Sequence, residues 1–416
     1  MQAGSQLSSA QVDQFEAVID NDTGRLIEIF KDIHQNPELG FMEERTAAIV
    51  AKELDALGYD VKTGIAGTGV VGVMKNGDGP VVMYRADMDA NAAEEKTGLP
   101  YGSTRRVVNR EGVEVPVAHL CGHDAHTTWL LALAKVMAQM KDSWSGTLVL
   151  VAQPAEELIE GATAMVDDGL YTEHQVPRPD YLIAMHTAPV PTCIVVSPGC
   201  VMMAGTEQLD VTIHGQSSHG SAPQFSKDAG LMAAYAVVQY QAITARVLDP
   251  RDPAVITVGA INAGVENNTI PGEAELKLNF RFFDEDVRAQ LYTGVKAVSE
   301  GIARTYGMPE DKMPTIVRKG YSSALVNDDE LAGHIAQHLV GIGTVSPENM
   351  ITEFRPVTGS EDAHMLVHGS DDVKVGFLFV GTASPEVMEQ ARQAGKTMPF
   401  ANHQSTYQVD LEAIPY

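Results

Sequence analysis

The chain has 416 residues, enough for more than one hydrophobic core, so two domains are expected. With 29 Lys and Arg against 55 Asp and Glu, its formal charge of −26 repels phosphate backbones and anionic lipid. Nucleic acid and membrane surfaces are therefore poor partners. Three cysteines, Cys121, Cys193 and Cys200, are too few for a disulfide framework and fit a reducing, cytoplasmic compartment. The opening MQAGSQLSSAQVDQFEAVID has neither the basic nor the apolar region of a signal peptide. No apolar run approaches the ~20 residues of a membrane helix.

In chain order, Ser9–His34 reads as a helix, and Glu44–Leu57 as a second one closed by Gly58 at its C′ position. Val70–Met74 and Val81–Tyr84 are short β-branched runs bounded by glycine, and His126–Met140 has a helical apolar period. Thr147–Val151 and Tyr181–Ala184 are buried-strand runs. Strands alternating with helices predict an α/β fold with a mostly parallel sheet. After about Gly205 the pattern changes. Leu209–Ile213 alternates with period two, Lys227–Val247 is helical, Ala254–Ala260 and Ala274–Phe283 are strands, Asp286–Tyr306 is a helix capped by Asp284, and Thr315–Lys319 is a last strand. That β-α-β-β-α-β order is the ferredoxin-like α+β unit. Helix and strand then resume at Asp328–Val340 and Val373–Val380. The expected organisation is a discontinuous catalytic domain, 1–205 and 322–416, carrying an inserted domain over 206–321.

The strongest chemical signal is Cys121-Gly122-His123-Asp124-Ala125-His126, a thiolate, imidazoles and a carboxylate packed into one loop and helix start. Cys121 and His123 could face one ion, with Asp124 or His126 holding the other imidazole nitrogen or supporting the loop. Glu156-Glu157 follows the strand Thr147–Ala152 at the sheet edge where open α/β sheets bind ligands. One carboxylate could ligate a metal while its neighbour accepts a proton from water. His186 sits directly after the strand Asp180–Met185, and His403 lies near the C-terminus. Taken singly, each of these reads as an ordinary surface or core residue. The convergence of Cys121, His123, Glu157 and His186 on one rim of one sheet predicts a mixed N/O/S site with room for two divalent ions.

Three other patterns are set aside. Gly67-Thr-Gly69-Val-Val-Gly72 matches a dinucleotide fingerprint but leads into a strand rather than opening a helix. Gly215-Gln-Ser217-Ser-His219 lacks the second glycine of a nucleophile elbow. His334 and His338 are four apart on a helix without the Glu of HExxH, and are expected at the surface.

Nine motifs together resemble the amidohydrolase branch of the aminoacylase/carboxypeptidase-type metallopeptidases. They are His34-Gln-Asn-Pro-Glu38, Arg85-Ala-Asp87-Met-Asp89, Cys121-Gly-His123-Asp124, Gln153-Pro-Ala-Glu156-Glu157, His186, His219, Asn268-Thr-Ile-Pro271, Gly359-Ser-Glu361-Asp362 and His403. The resemblance implies a metal-dependent hydrolase of a C–N bond, with one or two divalent ions per chain (Mn²⁺ foremost, or Zn²⁺, Ni²⁺ or Co²⁺). It implies Cys121, His123, Glu157, His186 and His403 as ligands, with Cys121 in the bridging position, and Glu156 as general base. It implies that the inserted domain is a lid and homodimerisation element, that its His219 steadies the oxyanion, and that Asn268 and Arg281 approach the substrate carboxylate. Arg281 also has a rationale of its own, since a guanidinium on a strand face can hold a carboxylate bidentately. Two departures concern the substrate side. The family's GGHAAxPH is here Ser217-Ser218-His219-Gly220-Ser221-Ala222-Pro223-Gln224, and the usual Phe-Ser after Asp362 is Ala363-His364. Gln224 and His364 are thus candidate substrate contacts. The expected reaction is hydrolysis of an N-acyl or N-aroyl amino acid. The alternatives are hydrolytic deamination of an aromatic amine, resembling that of 5-nitroanthranilate, and a non-catalytic metal-binding relative.

Overall fold

The computed structural model describes residues 7–370 and 372–415. The first six residues of the opening segment discussed above lie outside them. The chain falls into two compact units. The first comprises the segment ending at Cys200, Val326–Arg355 and the chain from Asp362 onward; the second comprises Val201–Leu325 and Pro356–Glu361.

The first unit is built on an eight-stranded sheet whose order is Asp60–Ile65, Gly69–Asn76, Gly146–Gln153, Val81–Asp87, Tyr181–Pro191, Lys374–Ala383, Val195–Val196 and Met350–Ile351. The four strands from Gly146–Gln153 to Lys374–Ala383 are mutually parallel. Antiparallel neighbours flank them, Gly69–Asn76 on one side and Val195–Val196 on the other. The parallel strands are apolar on both faces because helices cover both, which is why they read as continuous hydrophobic runs. The glycine-rich Gly67–Gly72 stretch turns a hairpin between Asp60–Ile65 and Gly69–Asn76, and Gly67 has a φ of 95°. No helix starts there, as its rejection as a dinucleotide loop requires.

Helix Ser9–Gln35 opens with a capping box in which Ser8 and Gln11 satisfy each other's backbone N–H groups. Helix Glu44–Ala56 ends one residue before Leu57, and Gly58 turns the chain in the left-handed region. The helix expected over His126–Met140 runs over His123–Gln139. Its apolar stripe extends all round because it packs both on the sheet, through Leu130, Leu131 and Ala134, and on helix Ser9–Gln35 and the C-terminal segment, through Trp129 and Ala132. The strand expected to stop at Met185 runs on to Pro191. Pairing with Lys374–Ala383 carries it past His186, so that histidine is within the strand and not in the loop beyond.

The second unit has a four-stranded antiparallel sheet, ordered Val255–Ala263, Glu273–Phe282, Gly205–His214 and Thr315–Ser322. Two helices, Ala229–Ala242 and Glu285–Thr305, pack on it through Met232, Ala236, Tyr240, Leu291 and Val295. Asp284 caps the second of them by accepting from the N–H groups of Asp286 and Val287. The elements follow in the order β-α-β-β-α-β. Among the described residues no helix is long and apolar enough to cross a membrane.

Candidate metal centre

The candidate ligands of the first unit converge. Ligand atoms of Cys121, His123 and His186 lie within 4.8 Å of one another, and so do those of Cys121, Glu157 and His403. Cys121 belongs to both groups. His123, Glu156 and Glu157 form a third group by the same measure.

Local geometry explains the convergence. Gly122 sits between the two ligands of the loop at a φ of 88°, and a Cβ there would lie 2.4 Å from the Thr187 hydroxyl oxygen and 2.8 Å from that of Tyr407. Only glycine fits both the left-handed turn and that close approach. The Thr187 hydroxyl in turn donates to the Cys121 carbonyl at 2.8 Å, fixing the cysteine against the strand that carries His186. The two glutamates leave the sheet through Ala155, held at a φ of 52°. The buried Glu43 carboxylate secures that turn by accepting from the Ala155 N–H at 2.9 Å and the Thr68 hydroxyl at 2.6 Å. Burial, and next the Asp89 charge, push Glu43 up to about 7.

The tautomers point the right nitrogens inward. His186 Nδ1 is 2.7 Å from the Thr187 carbonyl oxygen and must donate to it, so that Nε2 faces Cys121 Sγ at 3.4 Å. His123 Nδ1 lies 3.2 Å from Asp89, and its Nε2 is buried with no hydrogen-bond partner among the described residues. That orphaned nitrogen sits 3.7 Å from Glu156 and 3.8 Å from Glu157. A buried imidazole nitrogen left unpaired is costly, and a cation would satisfy it. Asp89 does more than orient His123: its two oxygens accept the N–H groups of Glu156 and Glu157 at 3.1 and 3.0 Å. One carboxylate thus ties the ligand helix to the acidic turn.

Electrostatics follow from this crowding. Burial and Glu157 raise the Cys121 thiol, but His186 and His123 outweigh them and bring it down to about 6. Burial opposes a proton on His186, yet Cys121 holds it up at about 9. Hydrogen bonding to Cys121 and then Glu157 lifts His403 to about 10. The buried Cys121 thiolate, the buried imidazoles of His123 and His186, the half-buried Glu157 and the exposed His403 at the rim are a donor set for divalent metal. The residues present fit such an ion.

His126 is not part of that set. Its Nδ1 donates to Asp87 at 2.6 Å, its Nε2 accepts the Thr187 N–H at 2.9 Å, and burial drives it down to about 3. Both nitrogens of a neutral ring are used, so the nearby Asp87, His123 and His126 trio offers no free imidazole from that residue. Asp124 also looks away, accepting from His34 Nδ1 at 2.6 Å. Of the two supports expected for the loop, His126 anchors it to the strands and Asp124 to helix Ser9–Gln35; the imidazole nitrogen of His123 is held by Asp89. Arg85, fully buried, donates to Gln153 at 2.8 Å, Asp87 at 2.8 Å and Asp362 at 3.0 Å. Nothing in the sequence assigned a role to Asp89, Glu43 or Arg85. The signal was present, since an Arg-x-Asp-x-Asp run at the end of a buried strand puts three charges where none is tolerated unpaired.

His364 lies buried in a short 3₁₀ turn, Ala363–Val367, and enters none of the ligand groups found among the described residues. The remaining candidates belong to the second unit. The pairs Ser218–His219 and Thr269–Ile270 form a small ladder, and the Asn268 carbonyl accepts the Gly220 N–H at 2.7 Å, which brings His219 and Asn268 side by side. His219 and Gln224 are exposed. Arg281, on strand Glu273–Phe282, donates to the Ser360 hydroxyl. His334 and His338 are exposed on helix Asp329–Gly341.

Residues 83–393 match the model of peptidase family M20/M25/M40. The chain belongs to this family. It is a hydrolase of that group, in agreement with the resemblance carried by its motifs. It is 36% identical over 82% of its length to hippurate hydrolase of Campylobacter jejuni, covering 84% of that protein. It is 32% identical over 94% of its length to IAA-amino acid hydrolase ILR1-like 4 of Arabidopsis thaliana, covering 82% of it. A Bacillus subtilis protein described as a dinuclear metal binding peptidase of the M20 family shares the fold, with a TM-score of 0.69, 24% identity and 95% of each chain covered.

Proposed function

We propose that this M20 hydrolase cleaves the amide bond of an N-acyl or N-aroyl amino acid, with Glu156 as general base. The observation that carries this is Glu156 itself, a buried carboxylate 3.7 Å from the unpartnered His123 nitrogen at the edge of the ligand cluster. Relatives named for hippurate and for indole-acetyl-amino acids support the substrate class. Cys121, His123 and His186 would hold one divalent ion, and Cys121, Glu157 and His403 a second, with Mn²⁺ foremost. When bound, such ions polarise the scissile carbonyl and bring the pKa of water to ~7. Glu156 takes the proton from the attacking water and returns it to the leaving amine. Asp89 holds His123 and the glutamate turn in place while this happens. On this reading the second unit acts as a lid and homodimerisation element, His219 steadies the developing oxyanion, and Arg281 and Asn268 receive the substrate carboxylate.

The test is product release by the Mn²⁺-reconstituted enzyme, with and without chelator, on N-acyl amino acids and on aromatic amines. Chelator-sensitive release of a free amino acid is expected. Release of ammonia from an aromatic amine instead would overturn the substrate class. Glu156→Gln should retain its metal content and lose about 10²–10⁴-fold in turnover.

A further inference from the structure

The first unit contains a cavity of about 370 Å³ that the hydrolytic site does not use. It lies between the sheet and the helices Ser9–Gln35, His123–Gln139 and Asp329–Gly341, with Tyr84, Trp129, Ala132 and Leu339 among its lining. Side chains alternate along a strand, so Tyr84 points to the face opposite Arg85 and Asp87. Among the described residues, every side chain lining the cavity is uncharged. Where Phe15 and Ile19 border it, the neighbouring depression carries Glu16 and Asp20 and, among the described residues, no basic residue.

Two hydroxyl side chains, Tyr84 and Thr344, break the apolar lining. The Tyr84 hydroxyl is buried and has no hydrogen-bond partner among the described residues. Burial also pushes its pKa up, so it remains a phenol and a donor. A buried donor left unpaired is costly, and an acceptor in the cavity would relieve it.

We propose that this cavity binds a small, neutral, largely apolar molecule that accepts one hydrogen bond from Tyr84. Its size exceeds the ~150 Å³ of an engineered apolar cavity that binds benzene, and falls within the ~300–1,000 Å³ of small-molecule pockets. Anions are disfavoured twice, by the absence of any basic side chain among the described lining residues and by the acidic approach past Glu16 and Asp20. The occupant would touch Trp129, whose ring stacks on that of His126 with 5.6 Å between centroids. It would therefore press on the ring that anchors the metal-ligand loop without entering the metal site.

Trp129 and Trp144 are the only tryptophans, and Trp144 is outside the cavity lining, its indole donating to the Met137 carbonyl. In a Trp144→Phe protein, emission therefore reports on Trp129 alone. The probes are 1-octanol, ethylbenzene, which has no acceptor comparable to a hydroxyl, and octanoate. Saturable binding of 1-octanol is expected, at least tenfold tighter than octanoate. Tyr84→Phe should weaken 1-octanol by about fivefold or more, the factor equivalent to ~1 kcal/mol, and leave ethylbenzene unchanged. Ala132→Phe should abolish binding of both neutral probes. If that variant does not fold, Leu339→Trp fills the cavity from another helix and is read by calorimetry. Absence of saturable binding to the parent, or 1-octanol binding insensitive to Tyr84→Phe, would overturn the proposal, as would binding that survives the filled cavity.

Discussion

Replacing Asp89 by asparagine keeps the shape of the side chain and removes its charge. In the native protein the Asp89 oxygens accept from three donors: His123 Nδ1 at 3.2 Å, Glu156 N at 3.1 Å and Glu157 N at 3.0 Å. Asparagine offers one acceptor oxygen, and its amide nitrogen must face one of those donors. Whichever way the amide turns, at least one hydrogen bond is lost and one donor meets another. Hydrogen bonds to charged groups contribute about 1.5–3 kcal/mol. Outer-shell changes of this kind typically weaken metal affinity or activity by 10–100-fold, or about 1.4–2.8 kcal/mol at 1.4 kcal/mol per tenfold. The expectation for Asp89→Asn is therefore a loss of metal affinity in that range, with the fold preserved. Competition against a chelator of known affinity measures it, with circular dichroism and thermal melting as controls. If the variant holds metal as tightly as the parent, Asp89 does not organise His123 and the acidic turn, and the derivation of the site fails at its central support.

Three further outcomes follow from the same structure. Gly122→Ala forces a Cβ within 2.4 Å of the Thr187 oxygen at a left-handed φ, so a stability loss of about 2 kcal/mol or more is expected; denaturant melting checks it, and a neutral result would mean the turn is not constrained. Arg85→Met leaves Asp87 and Asp362 buried without their cation, a change that typically costs 3–5 kcal/mol; an unaltered melting temperature would refute the charge accounting. The last concerns pH. Burial opposes the charge on His34, but its hydrogen bonds to Asp124 and Glu95 win and raise it to about 9. A histidine raised in the folded state contributes stability that is complete below its unfolded value near 6.5 and is lost as pH rises through 9. The parent should therefore lose stability between about pH 7 and 9, and His34→Gln should flatten that slope; equal slopes would place the loss elsewhere.

Much of the architecture was legible in the residues. Period-two and helical spacings gave the elements of the second unit and the central strands of the first, because each has a face that must be buried. They missed Asp60–Ile65, Val195–Val196, Met350–Ile351 and the helices Gly161–Asp167 and Pro385–Gln393. Glycine marked the turns wherever the backbone had to enter the left-handed region, at Gly58 and Gly67. The Cys-Gly-His loop, the paired glutamates and the two isolated histidines became candidates for metal-binding chemistry only when taken together and with the family resemblance. What the sequence could not supply was which atom of each faces inward. His123 and His126 stand three apart on one helix, and although His126 was read as a possible support, spacing alone does not settle which of the two keeps a nitrogen free. Tertiary contacts decide it, since Asp87 and the Thr187 backbone consume both nitrogens of His126 while only one nitrogen of His123 is taken, by Asp89. The end of the strand at His186 was misplaced for a related reason: its continuation to Pro191 depends on hydrogen bonds from Lys374–Ala383, nearly two hundred residues away. Local sequence determined the elements because helix and strand periodicity are short-range. The choice between ligand and support belongs to the fold, because it rests on pairings between residues that only the folded chain brings together.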